Sequence, residues 1–210
     1  MKNALIIGGG SKWGLEFTKE LVNQGYDIDL ITGSDVNLPN VNCVKINWFN
    51  VDKNLIKSLI NTDKNYDLIF FNHNSGGNPN DHFLKSGNEI ELEQWNYTYW
   101  INCQLPYVII HHLSKNINQG TKIGWMLTGL IDGHNPDMFR YSGYAAVKST
   151  NLHLMRGFSQ FHQGIFFAIN PGHLSVNEYQ KDALQIFSVI KNIKQEDSGK
   201  VFNKDGSFWI

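Results

Sequence analysis

Tyr144 and Lys148 stand four residues apart in the segment GYAAVK, which is typical of the first turns of a helix. This separation places the phenol and the ammonium on one helix face, a single turn apart. A tyrosine has a pKa of about 10, too high for proton exchange at neutral pH, and a neighbouring cation lowers that pKa. The pair could therefore exchange a proton with a substrate oxygen. Spacing alone also fits a tyrosine and a lysine that merely share an exposed face.

Two further polar residues stand at places that favour chemistry. Thr128 ends the apolar segment WMLT, and the carboxyl end of a strand is where open α/β sheets build their sites. Its hydroxyl could donate to a substrate carbonyl or simply bond to backbone. Asn102 lies inside a long predicted helix, and Pro106 has no N–H to give to its carbonyl. The helix should bend there, and the freed carbonyl should bind an ordered water; the alternative is a kink without a role.

A glycine-rich turn, GGGSKWG from Gly8 to Gly14, joins the first predicted strand to the first predicted helix. Glycines in such a turn let backbone N–H groups approach a pyrophosphate on the positive end of the helix. A flexible loop is the alternative, but the position between strand and helix favours dinucleotide binding.

The end of the second predicted strand bears on the choice of cofactor. NAD enzymes often place an acidic residue here, whereas this chain has Thr32 and Gly33, which would not repel a 2′-phosphate. Ser34 and Lys12 could donate to that phosphate, and Asp35 argues against it. The sequence favours NADP, with NAD as the alternative.

Strands and helices alternate along the chain. We predict strands at 4–7, 27–31, 41–47, 67–72, 122–128, 165–169 and 200–203, and helices at 13–23, 55–60, 89–115, 144–162 and 180–192. This order predicts one Rossmann-type doubly wound α/β domain over residues 1–210, with about seven parallel strands and helices on both faces. A barrel would need more strand–helix units.

The composition narrows the class of protein. A net charge of −1 and a pI near 6.7 give no basic surface, which disfavours a nucleic-acid partner. No apolar stretch approaches the roughly 20 residues that cross a bilayer, and no export signal is apparent, so we expect a cytoplasmic protein without a membrane partner. Cys43 and Cys103 should be reduced, buried thiols. The eight histidines show no ligand pairing, so no metal is expected.

Together these segments resemble the motifs of the short-chain dehydrogenase/reductase family. The family's TGxxxGxG turn is matched at Gly8 and Gly14, with Lys12 in place of the middle glycine and Ile7 in place of the threonine. The other corresponding segments are Asn47-Trp48 for the acidic residue after strand three, Phe71-Asn72-His73-Asn74 for NNAG, Asn170-Pro171-Gly172 for the turn beside the nicotinamide, and Asp197 to Gly206 for the tail.

The resemblance implies hydride transfer between a nicotinamide and a small carbonyl or alcohol substrate. Tyr144 would be the general acid or base, and Thr128 would hold the substrate oxygen. Lys148 would bind the nicotinamide ribose and lower the pKa of Tyr144, while Asn102 would hold a water that links Lys148 to solvent. The residues that would bind the cofactor are Gly8, Gly10, Ser11, Lys12, Trp13, Gly14, Thr32, Gly33, Ser34, Asn47, Trp48, Asn72, His73, Asn74, Lys148, Pro171 and Gly172.

The resemblance also implies a homodimer or homotetramer, paired through the long helix and the catalytic helix. The departures at Lys12 and at FNHN favour an alternative, a cofactor-binding sensor or regulator with little or no turnover. An epimerase or dehydratase is a further alternative, opposed by the short stretch after Gly172. The loop before Tyr144, with His134, Met138, Phe139 and Tyr141, should either line the substrate pocket or cover the core.

Overall fold

The computed structural model describes residues 1–10, 12–72, 92–131, 142–174 and 176–210. Its strands are β1 (Lys2–Ile7), β2 (Tyr26–Thr32), β3 (Val41–Lys45), β4 (Leu68–Phe71), β5 (Lys122–Met126), β6 (Ile165–Asn170) and β7 (Val201–Asn203). Its helices are α1 (Lys12–Asn23), α2 (Lys53–Leu59), α3 (Leu92–Tyr99), α4 (Leu105–His112), α5 (Ser142–Phe161) and α6 (Tyr179–Asn192).

The seven strands form one parallel sheet in the order β3-β2-β1-β4-β5-β6-β7. The predicted doubly wound sheet is confirmed, and the strand ends differ from the predicted ones by at most two residues. The strand order reverses between β1 and β4. In open sheets of this kind, ligands bind at the carboxyl ends of the strands beside that reversal.

Both faces of the sheet are covered, which explains why the central strands are almost continuously apolar. In β1, Ala4 and Ile6 belong to the core that contains Phe17 of α1. Leu5 and Ile7 belong to the opposite core, which contains Leu105 and other apolar residues of α4. Successive side chains of one strand thus pack into two cores on opposite faces of the sheet.

The long helix predicted over 89–115 is interrupted within the described residues. A π-helical turn, Trp100–Gln104, separates α3 from α4, and the Leu105 N–H donates to the Trp100 carbonyl, five residues back. Pro106 cannot donate to the Asn102 carbonyl, and the wider turn accommodates it at the start of α4. The predicted bend is therefore a π turn. Residues 89–91 lie outside the described part of the chain.

The two cysteines differ in burial. Cys103 is buried as predicted, and this burial raises the pKa of its thiol to about 11. The prediction of a buried Cys43 is wrong, since this side chain is only half-buried on β3, one of the two edge strands of the sheet. None of the described helices is both long and apolar enough to span a membrane.

Candidate active site

A cleft of about 280 Å³ opens at the carboxyl edge of the sheet, beside the reversal of strand order. It is bounded by the start of α1, the ends of β4, β5 and β6, and the first turns of α5. The residues that line it are Lys12, Trp13, Gly14, Asn72, Met126, Leu127, Thr128, Tyr144, Lys148, Pro171, Gly172, His173 and Leu174. The structure thus gathers candidate catalytic and cofactor-binding residues from five distant segments.

Lys148 is the most deeply placed charged group of this cleft. Its side chain is 2% exposed, and its Nζ donates to the Met126 carbonyl at 3.2 Å. Burial lowers the pKa of Lys148 to about 8, because the ammonium has lost much of its hydration. The same Nζ lies 5.7 Å from the centre of the Tyr144 ring. A cation at this distance stabilises negative charge on the phenol, as proton exchange requires.

Thr128 lies two residues beyond the end of β5 and is half-buried at the cleft wall. The backbone before it is fixed, since the Leu127 N–H donates to the Ile169 carbonyl at 2.8 Å. The three polar groups Thr128, Tyr144 and Lys148 therefore share one cavity. This is the arrangement that the sequence predicted for proton transfer to a substrate oxygen.

Asn102 does not line the cleft and lies instead in the π turn, which packs against α5. It is fully buried, and its Nδ2 donates to the Thr98 carbonyl at 3.0 Å. Its Oδ1 has no hydrogen-bond partner among the described residues. A buried oxygen of this kind needs a donor, and an ordered water would supply one. The neighbouring Cys103 approaches the Val147 carbonyl at 3.5 Å, which ties the π turn to α5.

The glycine turn is shaped by close contacts that leave no room for side chains. A Cβ on Gly14 would lie 2.5 Å from Asn72 Nδ2, and one on Gly10 would lie 2.4 Å from Thr32 Oγ1. Asn72 Nδ2 also donates to the Gly8 carbonyl at 3.2 Å. Because the amino end of α1 opens onto the cleft, the turn and the helix fit the pyrophosphate of a dinucleotide.

Lys12 occupies a backbone conformation that favours glycine. Its φ is +37°, in the left-handed region, and it stands where the resembled family has a glycine. The turn therefore holds a residue with a Cβ in a conformation that glycine adopts at lower cost. Lys12 is also one of the residues that line the cleft.

The remaining candidate cofactor residues form a second group at the ends of β2 and β3. Thr32 is 3% exposed, and its hydroxyl accepts a hydrogen bond from the Gly10 N–H at 3.2 Å. Trp48 packs over Gly33, where a Cβ would lie 3.1 Å from the indole Nε1. Asn47 caps a short helical turn through its Oδ1, and Ser34 is exposed. The buried Thr32 is thus a support of the glycine turn.

Four cleft residues carried no chemical signal in the sequence: Met126, Leu127, His173 and Leu174. Met126 acts through its backbone carbonyl, which any residue could supply. Their positions in the sequence, directly before Thr128 and directly after the Pro171-Gly172 turn, are the signal that could have predicted them. Ser11, His73, Asn74 and the loop residues His134, Met138, Phe139 and Tyr141 lie outside the described residues.

No protein-family model matches the chain, and no curated protein does. Solved structures match at full length and low identity. A carbonyl reductase from Pseudomonas aeruginosa, in complex with NADP, is 16% identical with a TM-score of 0.80, over 100% of this chain and 99% of that one.

Two further structures give the same result. The carbonyl reductase Sniffer of D. melanogaster is 16% identical with a TM-score of 0.79, over 99% of this chain and 98% of that one. A short-chain dehydrogenase family protein from Francisella tularensis is 16% identical with a TM-score of 0.78, over 98% of both chains. The chain therefore has the fold of the short-chain dehydrogenases/reductases.

Proposed function

We propose that this chain is an NAD(P)-dependent oxidoreductase of the short-chain dehydrogenase/reductase family, acting on a carbonyl or alcohol group of a small molecule. The observation that carries the proposal is the shared cleft. Tyr144, Lys148 and Thr128 line the same cavity as the amino end of α1 and its glycine turn. The proposed proton-transfer group and the proposed dinucleotide cradle would therefore face one space. The similarity in fold to carbonyl reductases supports this assignment.

The residues present fit a nicotinamide dinucleotide. The glycine turn and the start of α1 would hold the pyrophosphate, Asn47 and Trp48 would flank the adenine, and the Pro171-Gly172 turn would lie beside the nicotinamide. When bound, the nicotinamide supplies or accepts the hydride. Ser34 and Lys12 favour NADP over NAD, as we infer from their charge and hydrogen-bonding capacity.

The chain's own residues would handle the oxygen and its proton. The Thr128 hydroxyl would donate a hydrogen bond to the substrate oxygen and so orient it. In the reductive direction, Tyr144 would give its phenolic proton to that oxygen, and in the oxidative direction it would take the proton back. The buried Lys148 ammonium would stabilise the phenolate. Asn102 would hold the water through which protons reach Lys148.

The test is consumption of NADPH and NADH with a panel of aldehydes, ketones and quinones. We expect turnover in the wild-type chain and none in Tyr144→Phe, because the substitution removes the phenolic proton. Nucleotide binding should survive, because the substitution leaves the shape of the cleft unchanged. Tyr107→Phe is the matched control, since Tyr107 lies on α4 and is half exposed. Full activity in Tyr144→Phe would overturn the assigned chemistry.

Two other outcomes separate the alternatives. Nucleotide binding without turnover across the panel would favour the sensor or regulator. Binding of neither nucleotide would reject the family assignment itself. The homodimer or homotetramer remains a prediction; α4 and α5 do expose the aromatic residues Tyr107 and Phe161 that such pairing could bury.

A further inference from the structure

An ion pair joins the end of β3 to the loop that follows β2, the strand that ends beside the glycine turn. Lys45 is the last residue of β3, and its Nζ lies within hydrogen-bond distance of Asp35 Oδ2, just after β2. Both side chains are exposed, at 54% for Lys45 and 83% for Asp35. An exposed pair is held weakly, because water and salt compete for both charges. Each partner can therefore exchange the other for a ligand group at little cost.

The sheet register places Lys45 on the side of the sheet that faces the cofactor turn. Lys45 is the register partner of Thr32 in the parallel β2–β3 ladder, so their side chains lie on the same face. On this face, Thr32 Oγ1 receives the hydrogen bond of Gly10 in the turn. The backbone after β2 crosses the same face, since Cys43 Sγ approaches the Ser34 carbonyl at 3.9 Å.

We propose that Lys45 is a specificity-determining residue that binds the adenosine 2′-phosphate of NADP, with Asp35 as its resting counter-ion. This inference rests on the proposed function. In a dinucleotide fold, the end of the second strand lies beside the adenosine ribose, and an acidic residue there accepts from the 2′-hydroxyl of NAD. Asp35 alone would therefore select NAD and repel a 2′-phosphate. Lys45 neutralises that carboxylate and offers the phosphate a cation.

The pair also defines how the two nucleotides compete. With a 2′-phosphate present, Lys45 turns from the carboxylate to the doubly charged phosphate. With a 2′-hydroxyl present, Asp35 can accept from that hydroxyl while it keeps its contact with Lys45. The two residues thus make NADP the preferred cofactor without excluding NAD.

The experiment is a calorimetric titration of the full chain with NADP⁺ and with NAD⁺. Lys45→Met should weaken NADP⁺ binding about tenfold, the scale of a hydrogen bond to a charged group, and change NAD⁺ binding less than twofold. Asp35→Asn should tighten NADP⁺ and weaken NAD⁺, and Lys45→Arg should retain NADP⁺ affinity. Lys181→Met is the matched control, because Lys181 forms an exposed ion pair with Glu178 away from the cleft.

The outcomes distinguish this inference from the proposed function. If the wild-type chain binds NADP⁺ and Lys45→Met weakens it no more than Lys181→Met, Lys45 has no role in specificity, although the proposed function stands. Equal losses for NADP⁺ and NAD⁺ in Lys45→Met would likewise overturn the inference. If the wild-type chain binds neither nucleotide, the proposed function fails first, and this inference falls with it.

Discussion

Replacing Lys148 with methionine should make the folded chain more stable at neutral pH while it removes the proposed activity. Burial lowers the pKa of Lys148 from its ordinary value of 10.5 to about 8. That difference corresponds to roughly 3 kcal/mol of unfavourable free energy for the buried ammonium, at about 1.4 kcal/mol per unit of pKa. The variant also loses the hydrogen bond to the Met126 carbonyl, and this loss cancels about 1 kcal/mol of the stability gained. A net gain of about 2 kcal/mol at pH 7 follows.

The gain should depend on pH with a definite sign. The unfolded lysine keeps its proton up to its ordinary pKa of 10.5, whereas the folded one releases it near pH 8. Between these values the unfolded chain binds more protons, so the wild-type contribution of Lys148 to stability rises with pH. Below about pH 8 the lysine is protonated in both states, and the folded chain bears the full cost of the buried ammonium. The advantage of Lys148→Met should therefore be largest near pH 7 and fade towards pH 10.

Urea unfolding at pH 7 and pH 10 measures both effects, because the free energy of unfolding is obtained at each pH from the same transition. Lys181→Met, which removes an exposed ammonium, should leave the difference between the two pH values unchanged. A Lys148→Met variant that is less stable than wild type at pH 7 would contradict the reasoning. An advantage of equal size at both pH values would refute the role of the buried charge.

Three further predictions concern the turn and the C-terminal segment. Lys12→Ala should weaken NADPH binding more than NADH binding in a fluorescence titration, because it removes a cation that would contact the 2′-phosphate; equal losses would show that Lys12 does not contact that phosphate. Gly14→Ala should lower the free energy of unfolding in urea by about 1–3 kcal/mol, since its Cβ would lie 2.5 Å from Asn72 Nδ2, and an unchanged midpoint would contradict the close contact. Lys204→Met should cost on the order of 2 kcal/mol in the same assay, because it leaves the carboxylate of Asp182 buried without its partner. Adding Asp182→Asn should recover part of that loss, and no recovery would show that the charge is not its cause.

The sheet could be predicted because its strands carry a local signal. Strands covered on both faces must be apolar almost throughout, and the segments at Ala4–Ile7 and Leu68–Phe71 show this directly. Alternation of such strands with helices leaves few topologies. The pairing of Tyr144 with Lys148 is also local, because helix geometry alone brings the fourth residue onto the same face.

Other features depend on contacts between distant segments, which a single sequence does not show. The burial of Lys148 follows from the packing of α5 against β6 and from the hydrogen bond to Met126 at the end of β5, and nothing in the segment GYAAVK predicts it. The contact between Lys45 and Asp35 requires the β2–β3 register. The π turn was only half predictable: Pro106 signals a disturbance, but its form depends on what packs against it.

Two residues in the cleft are unfavourable for folding, and this bears on the choice between an enzyme and a sensor. Lys12 holds a left-handed backbone at φ +37°, which costs a residue with a side chain roughly 1–2 kcal/mol. Lys148 holds a buried ammonium beside the Tyr144 ring. Such costs are retained mainly where function requires them. A phosphate-binding role would account for Lys12. A protein that only bound a nucleotide could use a lysine at the surface of the cleft. Proton transfer, in contrast, needs an ammonium held close to the phenol, as the buried Lys148 is. The burial of Lys148 therefore favours the enzyme over the sensor.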